Sequence, residues 1–320
     1  MSEVSGRKLR VGTRSSPMAL AQVEEVAGLM RAHDPGLRLD VVPVTTEADR
    51  WHGNLATMGG KGLFTAGIDA MVRRGEVDLA VHCLKDVPGD VPLPEGLVLA
   101  SFPRRGDARD VLVLPEADRR RKLADLPPGA VVGTSSVRRA AQVLRARPDL
   151  RVARVRGLVG TRIDRLDHGE DSTRPDALIL AASGLDRIGL SHRVRQFFAP
   201  DELLPPVGAG ILGLVCRADD DAVLSLLARV DHQRTAREAA AERALLQGLR
   251  GHCNSPIAGH CSTGPGGRLT LRAMVFSPDG SRLVEARGED AATEAAALGV
   301  RVCDELLRAG AREIIEAIAH

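Results

Sequence analysis

The chain has 320 residues, of which 44% are hydrophobic and 27% charged, a composition typical of a folded protein and not of a disordered one. Its 44 basic and 42 acidic residues give a formal net charge of +2, which excludes a polycation that binds nucleic acid through bulk charge. Only four of the 44 basic residues are lysines, which leaves 40 arginines. Codon bias accounts for most of this excess, so the positions at which arginines cluster carry more information than their number. The planar guanidinium suits carboxylates and phosphates.

The scarce residue types exclude further classes. Aromatic residues make up 2% of the chain and tyrosine is absent, which disfavours a stacking surface for single-stranded nucleic acid. Five cysteines, an odd number in a long chain, indicate reduced thiols. No apolar run approaches the length of a membrane span, and the first twenty residues lack the apolar core of a secretory signal. We therefore expect a cytoplasmic protein with neither a membrane nor a nucleic-acid partner.

Short apolar runs alternate with amphipathic helical stretches along the first 180 residues. A helix is predicted to begin at Ser16-Pro17, because serine caps helix N-termini and proline suits the first turn. The nearly continuous apolar run at 77–84 is typical of a buried parallel strand. Strands are predicted at 9–12, 37–44, 77–84, 111–114, 130–132, 151–155 and 177–181. This alternation predicts α/β units with mostly parallel sheets.

Two proline-containing polar breaks, 103–110 and 198–206, bracket a middle segment of the size of a small domain. An apolar run at 211–215 is predicted to return to the first sheet. Beyond it the pattern predicts helices at 220–230 and 235–249 and a hairpin of strands 269–276 and 283–287. We therefore predict two α/β lobes joined by two crossing segments, with a ligand cleft between them, and a smaller α+β C-terminal domain. The predicted boundaries are 1–104 with 205–222 for lobe 1, 110–200 for lobe 2 and 228–320 for the C-terminal domain.

Two glycine-rich segments match nucleotide-binding motifs poorly. Residues 208–213 have the spacing G-x-G-x-x-G, but prolines precede them and an apolar run follows, so the strand and helix of a dinucleotide site are missing. Residues 58–64 contain a lysine but lack the Walker spacing. The second segment is predicted to be a loop over the cleft with Phe64 as an apolar lid residue, and a plain surface turn is the alternative.

An arginine cluster gives a stronger signal. Residues 133–139 read as a strand end, a small polar turn and a helix start, which is a geometry that binds anions. Two arginines in the first turn of that helix are unfavourable for the helix dipole unless an anion is nearby. The stretch 138–165 holds nine arginines and two aspartates, a local charge of +7. Some of these arginines fit a solvated helical face, and the ones predicted to bind an anion are Arg138, Arg139, Arg156 and Arg162.

Lys85 and Asp86 follow the apolar run at 77–84, and ligand clefts of α/β sheets lie outside the carboxyl ends of strands. A single carboxylate among many cations suits general acid/base work or the stabilisation of a developing positive charge. A structural Lys–Asp ion pair is the alternative.

Residues 251–259 place Cys253 on a turn, next to His252 and close to His260 and Cys261. Adjacent His-Cys pairs lack the spacing of a structural zinc site, so no metal is predicted. A nucleophilic or covalently modified thiol is the preferred interpretation of Cys253.

Seven motifs in chain order resemble the porphobilinogen deaminase (hydroxymethylbilane synthase) family over nearly the whole chain. They are VGTRSSPMALAQ at 11–22, MGGKGLF at 58–64, HCLKDVP at 82–88, GTSSVRR at 133–139, VRGLVGTR at 155–162, PPVGAGILGLVCR at 205–217 and GHCNSPI at 251–257. This resemblance implies lobes of the type II periplasmic-binding-protein kind. It also implies a cytoplasmic monomeric transferase that joins four porphobilinogen molecules head to tail, releasing ammonia, on a dipyrromethane cofactor.

The resemblance also implies roles for individual residues. Cys253 would carry the dipyrromethane through a thioether, and Asp86 would be the catalytic carboxylate. Further cofactor contacts would come from Asp86, Lys85, Ser136, Arg138 and Arg139. Substrate carboxylates and polar groups would be held by Arg14, Ser16, Gln22, Thr134, Ser135, Arg156 and Arg162. Asp49 falls at a cleft position, and the active-site loop would contain Lys61 and Phe64.

The chain departs from the usual family pattern at several positions. Leu158 stands where asparagine is common, Ala209 where glutamine is common, and His252 and Ala48 where glycine is common. Residues 66–68 replace a stretch that usually holds a Lys-Glu pair. None of these changes removes a charged catalytic group. They leave open a divergent second copy of the enzyme in specialised metabolism, with altered or lost turnover, and a non-catalytic carboxylate-binding protein with two lobes.

Overall fold

The computed structural model describes residues 8–51, 62–170, 174–250 and 255–317. Its strands are β1 (Lys8–Arg14), β2 (Arg38–Val44), β3 (Leu79–Cys83), β4 (Leu97–Ser101), β5 (Asp110–Val113), β6 (Val131–Gly133), β7 (Arg151–Ala153), β8 (Ala177–Ala181), β9 (Val194–Phe197), β10 (Leu212–Arg217), β11 (Ile257–Thr263), β12 (Leu269–Phe276) and β13 (Leu283–Asp290). Its α-helices are α1 (Pro17–His33), α2 (Glu47–Arg50), α3 (Ala66–Arg73), α4 (Val137–Ala146), α5 (Val159–His168), α6 (Ala182–Arg187), α7 (Asp221–Val230), α8 (Gln233–Leu249), α9 (Ala295–Arg308) and α10 (Ala311–Glu316). Within these ranges no helix is both long and apolar enough to cross a membrane.

Lobe 1 is built on a five-stranded sheet with the order β2-β1-β3-β10-β4. Strands β2, β1 and β3 are parallel, and β10 pairs antiparallel with both β3 and β4. Helices α1 and α7 pack on one face of the sheet and α3 on the other. The middle strand β3 is buried on both faces, as its uninterrupted apolar sequence requires.

Lobe 2 repeats this arrangement with the order β7-β6-β8-β5-β9. Its antiparallel strand is β5, which again occupies the fourth position. In each lobe the antiparallel strand is the first one after the chain has crossed from the other lobe. This exchange confirms the predicted pair of α/β lobes with two crossing segments.

The C-terminal domain packs helices α8, α9 and α10 against an antiparallel sheet with the order β11-β12-β13. This domain contacts both lobes. Ala258, Met274 and Phe276 pack against Ala141 of lobe 2 and against Leu204, which follows lobe 2 in the chain. On the other side, Ala239 of α8 packs against the lobe 1 segment that follows β3. The smaller α+β domain predicted from the sequence is therefore confirmed.

The sequence prediction missed three strands, β4, β9 and β11. Strand β9 (VRQF) alternates too briefly to be recognised, and β11 (IAGHCST) begins inside the stretch 251–259 that is predicted to be a turn. All three are defined by their partners: β10 for β4, β5 for β9 and β12 for β11. Pairing with a distant strand, and not the local pattern, makes them strands.

Candidate functional site

A cavity of about 300 Å³ lies between the two lobes and is open to solvent. Its lobe 1 wall comes from the end of β1, the start of α1 and the segment after β3. Its lobe 2 wall comes from the N-terminal ends of α4 and α5 and from α6. The polar and charged lining residues include Arg14, Ser16, Gln22, His82, Lys85, Asp86, Arg139, Arg162, Ser183 and Arg187.

Among the described residues that line the cavity, the one carboxylate is that of Asp86, which ends a single 3₁₀ turn, Leu84–Asp86, directly after β3. The backbone N–H of Leu84 donates to the carbonyl oxygen of Ile211 at 2.9 Å, so the residues that lead into β10 fix the turn. Lys85 lines the same cavity. The sequence prediction that both side chains reach a cleft beyond the strand agrees with this placement.

Arg14 is held on two sides. Its guanidinium donates to both carboxylate oxygens of Asp49. The Asp49 carboxylate also accepts from the backbone N–H of Thr46, which is the N-cap residue of α2. The ring of Phe64 lies over the guanidinium, with the centroid 4.2 Å from the central carbon of Arg14. Burial alone raises the pKa of Asp49, but its bonds with Arg14 and Thr46 outweigh this effect and lower it. Arg14 is therefore pre-oriented at the cavity edge, beneath the ring of Phe64.

An internal carboxylate neutralises part of the arginine cluster. Asp110, at the start of β5, is 1% exposed on its side chain and accepts from Arg138 at 2.6 Å and from Arg139 at 2.6 Å. Arg138 also donates to the carbonyl oxygen of Leu204 and does not line the cavity. The unfavourable cations in the first turn of α4 thus already have an anion, one that the count over 138–165 did not include. Arg139 reaches the cavity and Arg138 supports it from behind.

Arg162 has a different environment from Arg138. It lies in the first turn of α5, lines the cavity and donates to the carbonyl oxygen of Gly157 at 2.8 Å. Burial, together with the positive charges of Arg139 and Arg156, lowers the pKa of Arg162 to about 10. It stays protonated at neutral pH, but its charge is destabilised by its neighbours. A bound carboxylate would relieve this repulsion.

The small polar turn before α4 is used internally. Ser136 caps α4 and accepts from the N–H of Arg139, the Thr134 hydroxyl accepts from the N–H of Ser136, and the Ser135 hydroxyl donates to the carbonyl oxygen of Val155. None of the three residues lines the cavity. The turn sets the direction of Arg139.

The structure brings together eight of the predicted site residues in the cavity: Arg14, Ser16, Gln22, Phe64, Lys85, Asp86, Arg139 and Arg162. Five others lie outside its wall: Thr134, Ser135, Ser136, Arg138 and Arg156. Two predictions, Lys61 and Cys253, fall outside the described residues, as does His252. Of the former zinc candidates nearby, Cys261 is buried in β11 and His260 lies 3.6 Å from Glu242.

Sequence reasoning missed Arg187. It ends α6 of lobe 2, lines the cavity and forms an ion pair with Glu25 of α1 in lobe 1 at 2.8 Å. This pair connects the lobes beside the cavity. No local signal distinguishes Arg187 from other arginines at helix C-termini, where positive charge is ordinary. Asp110 was missed for a related reason, since its partners lie 28 and 29 residues away in the chain.

Leu158 leads to a stability prediction. It is the N-cap residue of α5, with extended backbone angles, it offers no side-chain cap, and it is 50% exposed at the cavity wall. We expect Leu158→Asn to raise the free energy of unfolding of lobe 2 by about 0.5–2 kcal/mol, because asparagine accepts from a first-turn N–H. Urea denaturation followed by circular dichroism measures the change. Leu158→Ala is the matched control and should give no gain. Equal gains in both variants would show that loss of the exposed leucine, and not capping, is responsible.

Comparison with known proteins gives a consistent result. A family model described as "Porphobilinogen deaminase, dipyromethane cofactor binding domain" matches residues 9–225, and its C-terminal domain model matches residues 236–308. Porphobilinogen deaminase 2 of Streptomyces coelicolor is 49% identical over 312 residues, covering 98% of this chain and 97% of that protein.

Among solved structures, a periplasmic substrate-binding protein of an ABC transporter from Coxiella burnetii gives a TM-score of 0.40 at 15% identity, over 69% of this chain and 91% of that one. The methionine-binding protein MetQ gives 0.42 at 10% identity, over 70% and 89%. The extent of the family models and the identity to the Streptomyces protein are decisive. The chain belongs to the porphobilinogen deaminase family.

Proposed function

We propose that this chain is a transferase that condenses four porphobilinogen molecules head to tail on a covalently bound dipyrromethane, releases one ammonia per step and yields the linear tetrapyrrole hydroxymethylbilane. The observation that carries this proposal is the interlobe cavity, whose described lining residues bring one carboxylate, Asp86, together with several fixed cations. Each porphobilinogen unit adds two carboxylates to the growing chain. A site for it needs many cations and one group that accepts protons.

The cations are proposed to bind the acetate and propionate side chains. Arg14 and Arg139 are oriented by Asp49 and Asp110 respectively, so little rotamer freedom is lost when a carboxylate binds. Arg162 has an electrostatic reason to bind an anion, because burial and the charges of Arg139 and Arg156 destabilise its own charge. Lys85 and the polar groups of Ser16 and Gln22 complete the proposed set. Arg156, Thr134 and Ser135 would act from behind the wall, through the orientation of α4 and α5.

Asp86 is proposed to act on the reacting pyrrole. Its carboxylate would accept a hydrogen bond from the pyrrole N–H. It would also stabilise the azafulvenium-like cation that forms when the C–N bond of the protonated aminomethyl group breaks and ammonia leaves with the electron pair. The next bond joins the methylene carbon to a free pyrrole α-carbon, which then loses its proton. The same carboxylate is the proposed acceptor of that proton.

The residues present fit a dipyrromethane, because a cofactor with four carboxylates would neutralise the unfavourable cation group around Arg162. Cys253, outside the described residues, is the proposed attachment point, and Lys85, Asp86 and Arg139 are the proposed contacts. Ser136 and Arg138 support Arg139 from behind. When bound, the cofactor supplies the free pyrrole α-position at which the chain starts. The loop that contains Lys61 and Phe64 is proposed to close over the site.

We further propose three domains with the boundaries predicted above, except that lobe 1 extends to Val230, because α7 packs on the lobe 1 sheet. A cytoplasmic monomer is the proposed state, without nucleic-acid or membrane partners. The free thiols of Cys83, Cys216, Cys261 and Cys303 support a reducing compartment.

Intact-mass measurement tests the proposed function. Protein from a host that makes porphobilinogen should be heavier than its sequence mass by one dipyrrole, and Cys253→Ala should lack the increase. Added porphobilinogen should be consumed with formation of a linear tetrapyrrole. A loaded protein that forms no tetrapyrrole would identify the divergent copy suggested by Leu158 and Ala209. An unmodified mass would contradict the proposed function, and a non-catalytic carboxylate-binding protein would be the remaining interpretation.

Arg162→Ala tests carboxylate recognition. We expect the KM for porphobilinogen to rise by about ten- to a hundredfold, the loss typical of one charge-assisted hydrogen bond. Steady-state kinetics measure it. Arg145→Ala, an exposed position on α4, is the control and should leave the KM unchanged. A KM for Arg162→Ala within twofold of the wild-type value would contradict the assignment.

A further inference from the structure

A fully buried carboxylate, Glu242 of α8, lies where the two lobes and the C-terminal domain meet, and none of the roles proposed above uses it. Its side chain is 0% exposed and pairs with Arg105 of the first crossing segment at 2.8 Å. Burial alone raises the pKa of Glu242, but the charge of Arg105 and the nearby His260 outweigh it and lower the pKa. Glu242 is therefore ionised at neutral pH, with fixed partners on every side.

One oxygen of Glu242 holds the segment behind Asp86. The backbone N–H of Gly208 donates to Oε2 at 2.6 Å. Gly208 has φ +75°, and a Cβ added there would lie 2.7 Å from the backbone nitrogen of Lys85. Only glycine permits this approach. Gly208 is thus the single residue that lies between Glu242 and the turn that presents Asp86.

The other oxygen holds the C-terminal sheet. The N–H of Cys261 in β11 donates to Oε1 at 2.7 Å, and Arg105 donates to the carbonyl oxygen of Cys261 at 3.1 Å. Strand β11 begins at Ile257, four positions after Cys253 in the sequence. The strand that follows the proposed cofactor cysteine and the turn that carries the proposed catalytic carboxylate are therefore bound to the same carboxylate group.

Arg105 extends this connection to lobe 2. Its Nε donates to the carbonyl oxygen of Ala209 at 2.8 Å, which joins the first crossing segment to the residues that lead into β10. Five residues further along the first crossing segment is Asp110, which orients Arg139. We refer to Arg105, Gly208, Glu242 and Cys261 as the junction cluster.

We propose that Glu242 is a positioning residue for the condensation reaction, which fixes the Asp86 turn relative to the strand that follows the cofactor cysteine. The inference rests on the proposed function. Glutamine cannot replace Glu242, because its amide has one accepting oxygen and one donating nitrogen, and either Gly208 or Cys261 would then face a donor. Such a change displaces the catalytic carboxylate without removing any group that contacts substrate.

The test compares Glu242→Gln with Glu238→Gln. Glu238 lies one turn earlier on α8, is also buried, and contacts Arg105 at 3.5 Å and Thr263 at 3.1 Å, but not Gly208. Glu242→Gln should lower kcat by at least about tenfold and leave the KM within about twofold, because Glu242 does not line the cavity. Glu238→Gln should change kcat by less than about twofold. Intact mass should show full dipyrrole loading of both variants, and melting curves should show that both are folded at the assay temperature.

A kcat of Glu242→Gln no lower than that of Glu238→Gln overturns the proposal, as does a rise in KM without a fall in kcat. Wild-type protein that does not consume porphobilinogen overturns the proposed function instead, and this outcome is seen before any variant is compared. If Glu242→Gln does not fold, hydrogen exchange of the wild-type holoenzyme decides. The amides of Gly208 and Cys261 should exchange as slowly as those of β10, and faster exchange of either refutes the proposal.

Discussion

Asp86→Asn should lower kcat by about a hundred- to ten-thousandfold, the usual contribution of a positioned acid or base. The amide keeps the size of the side chain but loses the charge that stabilises a cation and the ability to accept a proton. The cavity wall and its cations are unchanged, so porphobilinogen should still bind and cofactor-linked species should still be retained. Rapid-quench assays with porphobilinogen, together with intact mass, measure both effects.

Asp40→Asn is the control for this variant. Asp40 is a half-exposed lobe 1 carboxylate on β2, outside the cavity wall, where it pairs with Lys8. Its loss should leave kcat unchanged. Near-normal turnover of Asp86→Asn would refute the role of Asp86, and loss of bound substrate in place of turnover would reassign it to binding.

Asp110→Asn should destabilise lobe 2 by about 3–5 kcal/mol, because the change leaves two guanidinium groups without their buried counter-charge. Arg138 is buried with Asp110, and Arg139 can no longer be held against the cavity wall. We therefore expect a lower melting temperature and, in the folded fraction, a higher KM for porphobilinogen. Calorimetry and steady-state kinetics measure the two effects separately.

The difference in stability between the wild type and Asp110→Asn depends on pH, and the sign of this dependence follows from the pKa of Asp110. Burial raises the pKa of Asp110, but the charges and hydrogen bonds of Arg138 and Arg139 outweigh burial and lower it below the ordinary carboxyl value. As the pH falls, the unfolded chain takes up this proton before the folded protein does. The stability difference between wild type and Asp110→Asn should therefore be complete above about pH 4–5 and shrink as the pH falls below the ordinary aspartate pKa of about 3.9.

Asp149→Asn is the matched control, since Asp149 also pairs with an arginine of lobe 2, Arg147, but at a more exposed position. Exposed pairs contribute about 0–1 kcal/mol, so this variant should melt close to the wild type. Equal melting temperatures for Asp110→Asn and Asp149→Asn would show that the burial of Asp110 adds nothing to the stability of the protein.

Local patterns were sufficient for much of the fold. The Ser16-Pro17 start of α1, the apolar strand β3 and the hairpin of β12 and β13 are correct because capping, burial and turn chemistry act over a few residues. Strand β5 pairs with β8 and β9, and β10 pairs with β3 and β4, all of them distant in the chain, and no local pattern encodes the order or the antiparallel direction of these pairs.

The same distinction between local pattern and distant pairing applies to the site. The sequence by itself determined that Asp86 follows a buried strand, that arginines gather around helix N-termini, and which family the motifs resemble. Only the tertiary structure decided which cations face the cavity, because charge neutralisation depends on distant partners. Asp110 removes Arg138 from the cavity, Arg187 enters it from α6, and Glu242 connects segments that are far apart in the chain. The number of charges is a property of the sequence, but the field that they create depends on which of them are paired in space.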